Sequence, residues 1–215
     1  MTWSYNGQAW QPSGTPPACP NPLTIPLPSD LSRVTSILYP GQSRPDYKPH
    51  GGFRFDRAGQ TNDVQVMSAI EGAIYRGGRF LVSGEIQYTF DFINECGIMH
   101  RLGHLRDLSP RFQALANAFP PAVENDSRTT LVPQGQRVTI GEVIATAVGL
   151  RATTNVFFDW GVYDLRARNG VAGLSGELEA YGICWIDRLS ASDAARVRSL
   201  PPGDPTAGTR SDYCR

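Results

Sequence analysis

Short apolar runs punctuated by glycine, proline and asparagine dominate the chain, and helical periods are rare. The runs Val34–Tyr39, Gly52–Asp56, Gly72–Tyr75, Phe80–Val82, Ile86–Ile93, Ile98–Leu105, Val143–Val148 and Val156–Leu165 have the length and composition of strands. In Ile86–Ile93, Ile86, Tyr88, Phe90 and Phe92 alternate with Gln87, Thr89 and Asp91. That period of two predicts an antiparallel strand with one face in the core and the other toward water. Arg76-Gly77-Gly78-Arg79 predicts a hairpin turn, because glycine tolerates the backbone that tight turns require.

Two segments carry helical spacing instead. Ser109-Pro110 supplies an N-cap and a first-turn proline ahead of Phe112, Leu115, Ala116 and Phe119, and Pro120-Pro121 stops the helix. A second helix is expected from about Ser190, carrying Ala194, Ala195, Val197 and Leu200 as far as Pro201-Pro202. Residues 1–33 are rich in proline, glycine and serine and read as an extended arm. Residues 34–166 form the β domain, and 167–215 a C-terminal extension packed on it. The expected fold is mostly β, a curved antiparallel two-sheet domain with two short accessory helices.

At 215 residues the chain suits one such domain. Its 20 basic and 20 acidic residues cancel, which argues against nucleic acid as a partner. No apolar run reaches the roughly 18–20 residues of a membrane helix, so no membrane span is expected. The start at Met1 shows no basic segment followed by an apolar one, and the expectation is a signal peptide already removed. Four widely spaced cysteines, Cys19, Cys96, Cys184 and Cys214, fit disulfides and an extracytoplasmic home, with buried free thiols as the alternative. A Cys184–Cys214 bridge would tie down the polar chain end and leave Cys19 for Cys96. The competing scheme joins Cys19 to Cys214 and Cys96 to Cys184.

Several stretches, in order, carry a resemblance. Tyr47-Lys48-Pro49-His50-Gly51-Gly52-Phe53-Arg54 resembles the first zinc motif, His-x-x-x-Asp, of the lysostaphin-type (LytM-like) peptidoglycan endopeptidases. Asp63–Ile74 resembles their following strand pair, Gly97–Leu105 with His104-Leu105 their "G-x-x-T-x-Y-x-H-L", and Val138–Ala145 their "V-x-x-G-x-x-I-G". The closing "H-x-H-F-E" falls on Asn155-Val156-Phe157-Phe158-Asp159. The likeness implies that family's duplicated-hybrid-motif fold over residues 34–165, and nothing of it covers the arm or the last fifty residues.

It also implies a site that is largely gone. Of the family's three zinc ligands only His50 remains, with Arg54 in place of the aspartate and Phe157 in place of the last histidine. Of its two histidines that assist the attacking water, His104 remains and Asn155 replaces the other. Phenylalanine offers no donor atom, and a guanidinium has no lone pair to give. At about 4 Å, Arg54 would repel a divalent ion by roughly 8 kcal/mol at an effective dielectric near 20. The resemblance therefore implies a non-catalytic pseudopeptidase with no metal or other cofactor, binding a cell-wall ligand or a protein through a groove of His50, Arg54, His104, Asn155 and Phe157. The alternative is a zinc metallopeptidase with a remodelled site, His50, Asp56 and His104 being one such set. An Arg54 in a half-buried groove calls for a carboxylate, with Asp56 and Asp159 the candidates. His104 reads equally as a core histidine, His100 as a packing or surface residue, and Phe157, Phe158, Trp160 and Tyr163 as strand packing.

Overall fold

The computed structural model describes residues 1–44, 46–56, 62–151 and 155–214. It opens with a small hairpin, β1 (Trp3–Tyr5) and β2 (Trp10–Pro12). Then come β3 (Ser36–Leu38), the ribbon β4 (Gln42–Arg44) and β5 (Asp46–Lys48), β6 (Gly51–Arg54) and the short β7 (Val66–Met67). Three long strands follow, β8 (Gly72–Val82), β9 (Glu85–Ile93) and β10 (Ile98–Leu105). After helix α1 (Pro110–Ala116) come β11 (Thr130–Leu131), β12 (Arg137–Val138), β13 (Val143–Ala145) and β14 (Phe157–Asp164), and then helix α2 (Ala191–Arg198).

The main sheet runs β11-β8-β9-β10-β14-β6-β3, with β12 also on β8, and its strands pair antiparallel. The ribbons β1–β2, β4–β5 and β7–β13 lie outside it. The chain is thus mostly β with two helices, as its pattern predicts. Among the described residues no helix is long and apolar enough to cross a membrane.

One face of the sheet carries Phe53, Phe90, Phe92, Leu102, Phe158 and Trp160, all buried in the main core. Phe112 of α1 packs on Phe90 at 5.2 Å between ring centres, and Trp185 of the C-terminal segment lies 4.5 Å from Trp160. A fully buried side chain of this size stabilises by about 1.5–3 kcal/mol, so the extension is held to the sheet by its own core residues. Both helices start on serine, as expected: Ser190 Oγ accepts from Asp193 N at 3.1 Å, while Ser109 makes no side-chain cap bond.

Two local expectations are corrected. The hairpin between β8 and β9 turns at Ser83-Gly84, with φ of 52° and 79°, and not at Arg76–Arg79, which runs through the middle of β8. Gly77 and Gly78 are there for close approach: a Cβ on Gly77 would stand 2.5 Å from the Phe119 ring, and one on Gly78 2.4 Å from Arg128 O. Nor does β9 turn a polar face to water. Gln87, Thr89 and Asp91 are 0%, 3% and 0% exposed, because the second face of the sheet is covered as well. At one end of that face Trp3 and Trp10 of the arm lie over Ile93, Met99 and Tyr163.

The four cysteines form two bridges, Cys19–Cys96 and Cys184–Cys214, closing 77 and 30 residues. The first pins the arm beside the β9–β10 turn, and the second ties the chain end back to the core.

Candidate functional site

Away from the arm, the second face of the sheet is polar. Gln87, Thr89 and Asp91 of β9, Arg101 and Gly103 of β10 and Asp159 of β14 share it by strand parity. A cavity of about 320 Å³ opens over it, lined by His50, Thr89, Arg101, His104 and Asp159 among others.

His104 reaches this face through a break in the strand. Ile98, His100 and Leu102 point into the core, and strict alternation would send His104 after them. The pairing of β10 with β9 slips between Leu102 and Leu105, and His104 adopts a left-handed φ of 58°. That conformation costs a non-glycine residue on the order of 1–3 kcal/mol and swings the imidazole to the opposite face. There its Nδ1 lies 2.5 Å from Gln87 Oε1 and its Nε2 3.3 Å from Asp159 Oδ2. The ring packs 4.3 Å from that of Phe157. A strained residue whose side chain lines a cavity marks this as the candidate site.

Glycines bring His50 to the same carboxylate. In β6, Gly51 and Gly52 lie between β3 and β14 so tightly that a Cβ would stand 2.3 Å from Leu38 O or Phe158 O. Gly52 pairs directly with Asp159, and His50 Nδ1 comes 3.4 Å from Asp159 Oδ1 and 3.4 Å from Gly51 O. The Asp159 side chain, 14% exposed, is thus bracketed by two imidazoles, one on each oxygen. Burial is the largest single influence on it and pushes the carboxyl up. His50, His104 and Arg44 together outweigh that and hold it well below the usual carboxylate range. Burial lowers His50 against the opposing pull of Asp159. Arg44, behind the cluster, donates through Nη2 to His50 O at 3.0 Å.

Arg54 faces elsewhere. Its Nε lies 2.5 Å from Asp56 Oδ2, its Nη2 donates to Asn155 Oδ1 at 2.9 Å, and its guanidinium sits over the Phe157 ring at 5.5 Å. Of the two expected partners, the structure selects Asp56. Arg54, Asn155 and Phe157 therefore form a unit that touches His104 through Phe157 but does not line the cavity, which His50 and His104 do. His100 packs in the core, accepting from Trp160 Nε1 at 3.4 Å, and burial drops it to about 3. Phe158, Trp160 and Tyr163 are fully buried packing residues.

Gln87 and Arg101 escape the sequence reading as site residues, and Asp159 entered it only as a candidate partner of Arg54. Asp159 stands two residues beyond Phe157 on the same face of β14, so strand parity was the signal for its place in the cleft. The polar alternation of β9 was the signal for Gln87.

Two imidazoles and a carboxylate are a donor set that zinc accepts. Here, however, each oxygen of Asp159 faces a different ring. Among the described residues no three His, Cys, Asp or Glu side chains are arranged to hold one ion. As arranged, the cluster does not fit a metal centre.

No family model, curated protein or solved structure matches the chain.

Proposed function

We propose that this chain is a non-catalytic binding module of extracytoplasmic origin, a pseudopeptidase of the lysostaphin-like fold without cofactor, whose ligand sits in the cleft over His50, Asp159 and His104. One observation carries the reading. His104 is held in a left-handed conformation that turns it out of the core and into the cleft. A strained backbone kept beside a polar cavity supports a role for that cavity. The Arg54 unit supports the absence of the family's chemistry: the residue in the aspartate position is a cation tied to Asp56 and Asn155. The two disulfides agree with an oxidising compartment. A cell-wall peptide or a protein segment suits the polar cleft.

The second reading is a zinc peptidase with a remodelled site, for which His50, His104 and Asp159 supply the donor types but not, as they stand, the arrangement. In that case those three residues would be the ones to hold the ion, in an arrangement other than the one seen here. Peptidoglycan fragments incubated with protein purified without chelator separate the two readings. Binding with no release of new amines, and well under one zinc per chain, is expected. One tightly held zinc together with amine release would establish the peptidase.

A further inference from the structure

The cavity over Asp159 continues beyond its own rim. Arg101, Asn125 and Ser127 line both it and a more open groove of about 550 Å³ that runs on past Arg128 to Arg76 and Glu177. Arg101 stands at the junction of the two.

The Arg101 side chain is 18% exposed, and its Nε lies 3.1 Å from Oδ1 of the fully buried Asp91. Arg76 Nε takes the other Asp91 oxygen at 2.5 Å, and Arg76 also reaches Glu177 at 2.8 Å. Arg76 thus sits between two carboxylates, while Arg101 shares half of one. The ion pair with Asp91 tethers the guanidinium, and Arg101 lines both cavities where they meet. A guanidinium held this way meets a planar carboxylate through two parallel N–H···O bonds, and little side-chain freedom is left to lose on binding. Asn125 and Ser127 place a side-chain amide and a hydroxyl at the same junction. Asp159, at the inner end, repels a second anion, so the negative end of a ligand belongs at Arg101.

We propose that Arg101 is the anion anchor of the cleft: the ligand presents a carboxylate to it, and the neutral remainder of the ligand runs inward toward Asp159. The inference rests on the reading of the cleft as a ligand site and names the chemistry that the site selects.

Binding is measured on the whole chain with a pool of N-acetylated tripeptides ending in a free carboxylate, with the same pool amidated, and with inorganic phosphate. The acids are expected to bind at least tenfold more tightly than the amides. Arg101→Met is expected to abolish that difference, and Arg101→Lys, which keeps the charge without the fork, to retain part of it. Thermal unfolding checks that each variant is folded, and Arg101→Lys carries the test if Arg101→Met is not. Phosphate that binds and loses its affinity in Arg101→Met supports the anchor from an anion with no peptide attached. Equal binding of acids and amides, or an Arg101→Met protein that still prefers acids, overturns the anchor and leaves the cleft a ligand site. Failure of every probe to bind the native protein overturns the cleft reading and the anchor with it.

Discussion

Gln87 Oε1 lies 2.5 Å from His104 Nδ1, and Gln87 has no exposed surface. His104 therefore meets Gln87 through Nδ1 and presents Nε2 to Asp159. A buried glutamine on the neighbouring strand thus fixes the orientation of the histidine that the bulge turns into the cleft. The site depends on a residue two strands from Asp159, held in place by the sheet register.

Gln87→Leu tests that dependence. The His104 ring ¹⁵N resonances should move in the variant, while those of the core residue His100 stay in place. The lost hydrogen bond should lower stability by about 1 kcal/mol. Unchanged His104 resonances would show that Gln87 does not hold the ring.

The approach of β6 to β14 sets the distance between His50 and Asp159, and Gly52 makes it possible. Gly52→Ala puts a Cβ 2.3 Å from Phe158 O, a backbone atom that cannot move alone. A loss of about 3 kcal/mol or more is expected, with the strands forced apart. Gly84→Ala is the comparison. At φ +79° nothing lies within 4 Å of the added methyl, so only the left-handed backbone is penalised, by about 1 kcal/mol. Chemical denaturation of both proteins should separate the two costs, and equal losses would refute the close-packing account.

Stability should fall in acid well before the carboxylates of the unfolded chain titrate. His50 is lowered by burial, His100 drops to about 3 by burial, and Asp159 is held down by the imidazoles around it. Each of these groups binds fewer protons folded than unfolded, so stability rises with pH wherever the unfolded form titrates. For the histidines the contribution is complete above about pH 6.5 and is lost toward the folded value, which for His100 is about 3. Each can remove up to about 1.4 kcal/mol per pH unit in that window. Asp159 acts only below about pH 4. Urea unfolding at pH 7.5, 6 and 5 should show the decline, and His100→Gln should flatten it. A stability curve flat from pH 7.5 to 5 would contradict the burial of both histidines.

What the sequence shows of this molecule follows the range of the forces involved. The helices at Ser109-Pro110 and Ser190 were legible because capping and proline chemistry act within one turn. Strand positions were legible from alternation, but not what covers each face. Gln87, Thr89 and Asp91 read as solvent-facing because the elements that enclose their face are remote in sequence, among them the arm at Trp3 and the segment at Asn125 and Ser127. Gly77-Gly78 read as a turn because a glycine kept for a close contact has the same signature as one kept for its backbone. The bulge at His104 leaves only a faint mark, Leu105 following Leu102 at a spacing of three instead of two. His50 and His104 were found through the resemblance, which put the site roles of the closing motif on Asn155 and Phe157 and left Asp159 only as a candidate partner of Arg54.

The disulfides tie down the two end segments of the chain, and their removal should show a difference in kind. Cys184–Cys214 closes 30 residues and Cys19–Cys96 closes 77, worth about 3–4 and 4–5 kcal/mol in the chain-entropy model. The arm has other anchors: Trp3 Nε1 donates to Glu95 O at 3.3 Å and Trp10 Nε1 to Glu177 O at 2.8 Å, with both rings buried. Tyr213 at the other end donates to Glu179 O at 2.7 Å and covers Gly41 and Gly182, but no tryptophan beyond the bridge holds the terminus. The Cys19→Ala, Cys96→Ala protein should therefore lose the larger share of global stability while Trp3 and Trp10 stay protected from solvent. The Cys184→Ala, Cys214→Ala protein should lose less globally and fray locally from about Gly203 onward. Hydrogen exchange read by segment, alongside thermal unfolding, checks both halves. Exposure of Trp3 and Trp10 in the first variant would show that the bridge, and not the aromatic contacts, keeps the arm on the sheet.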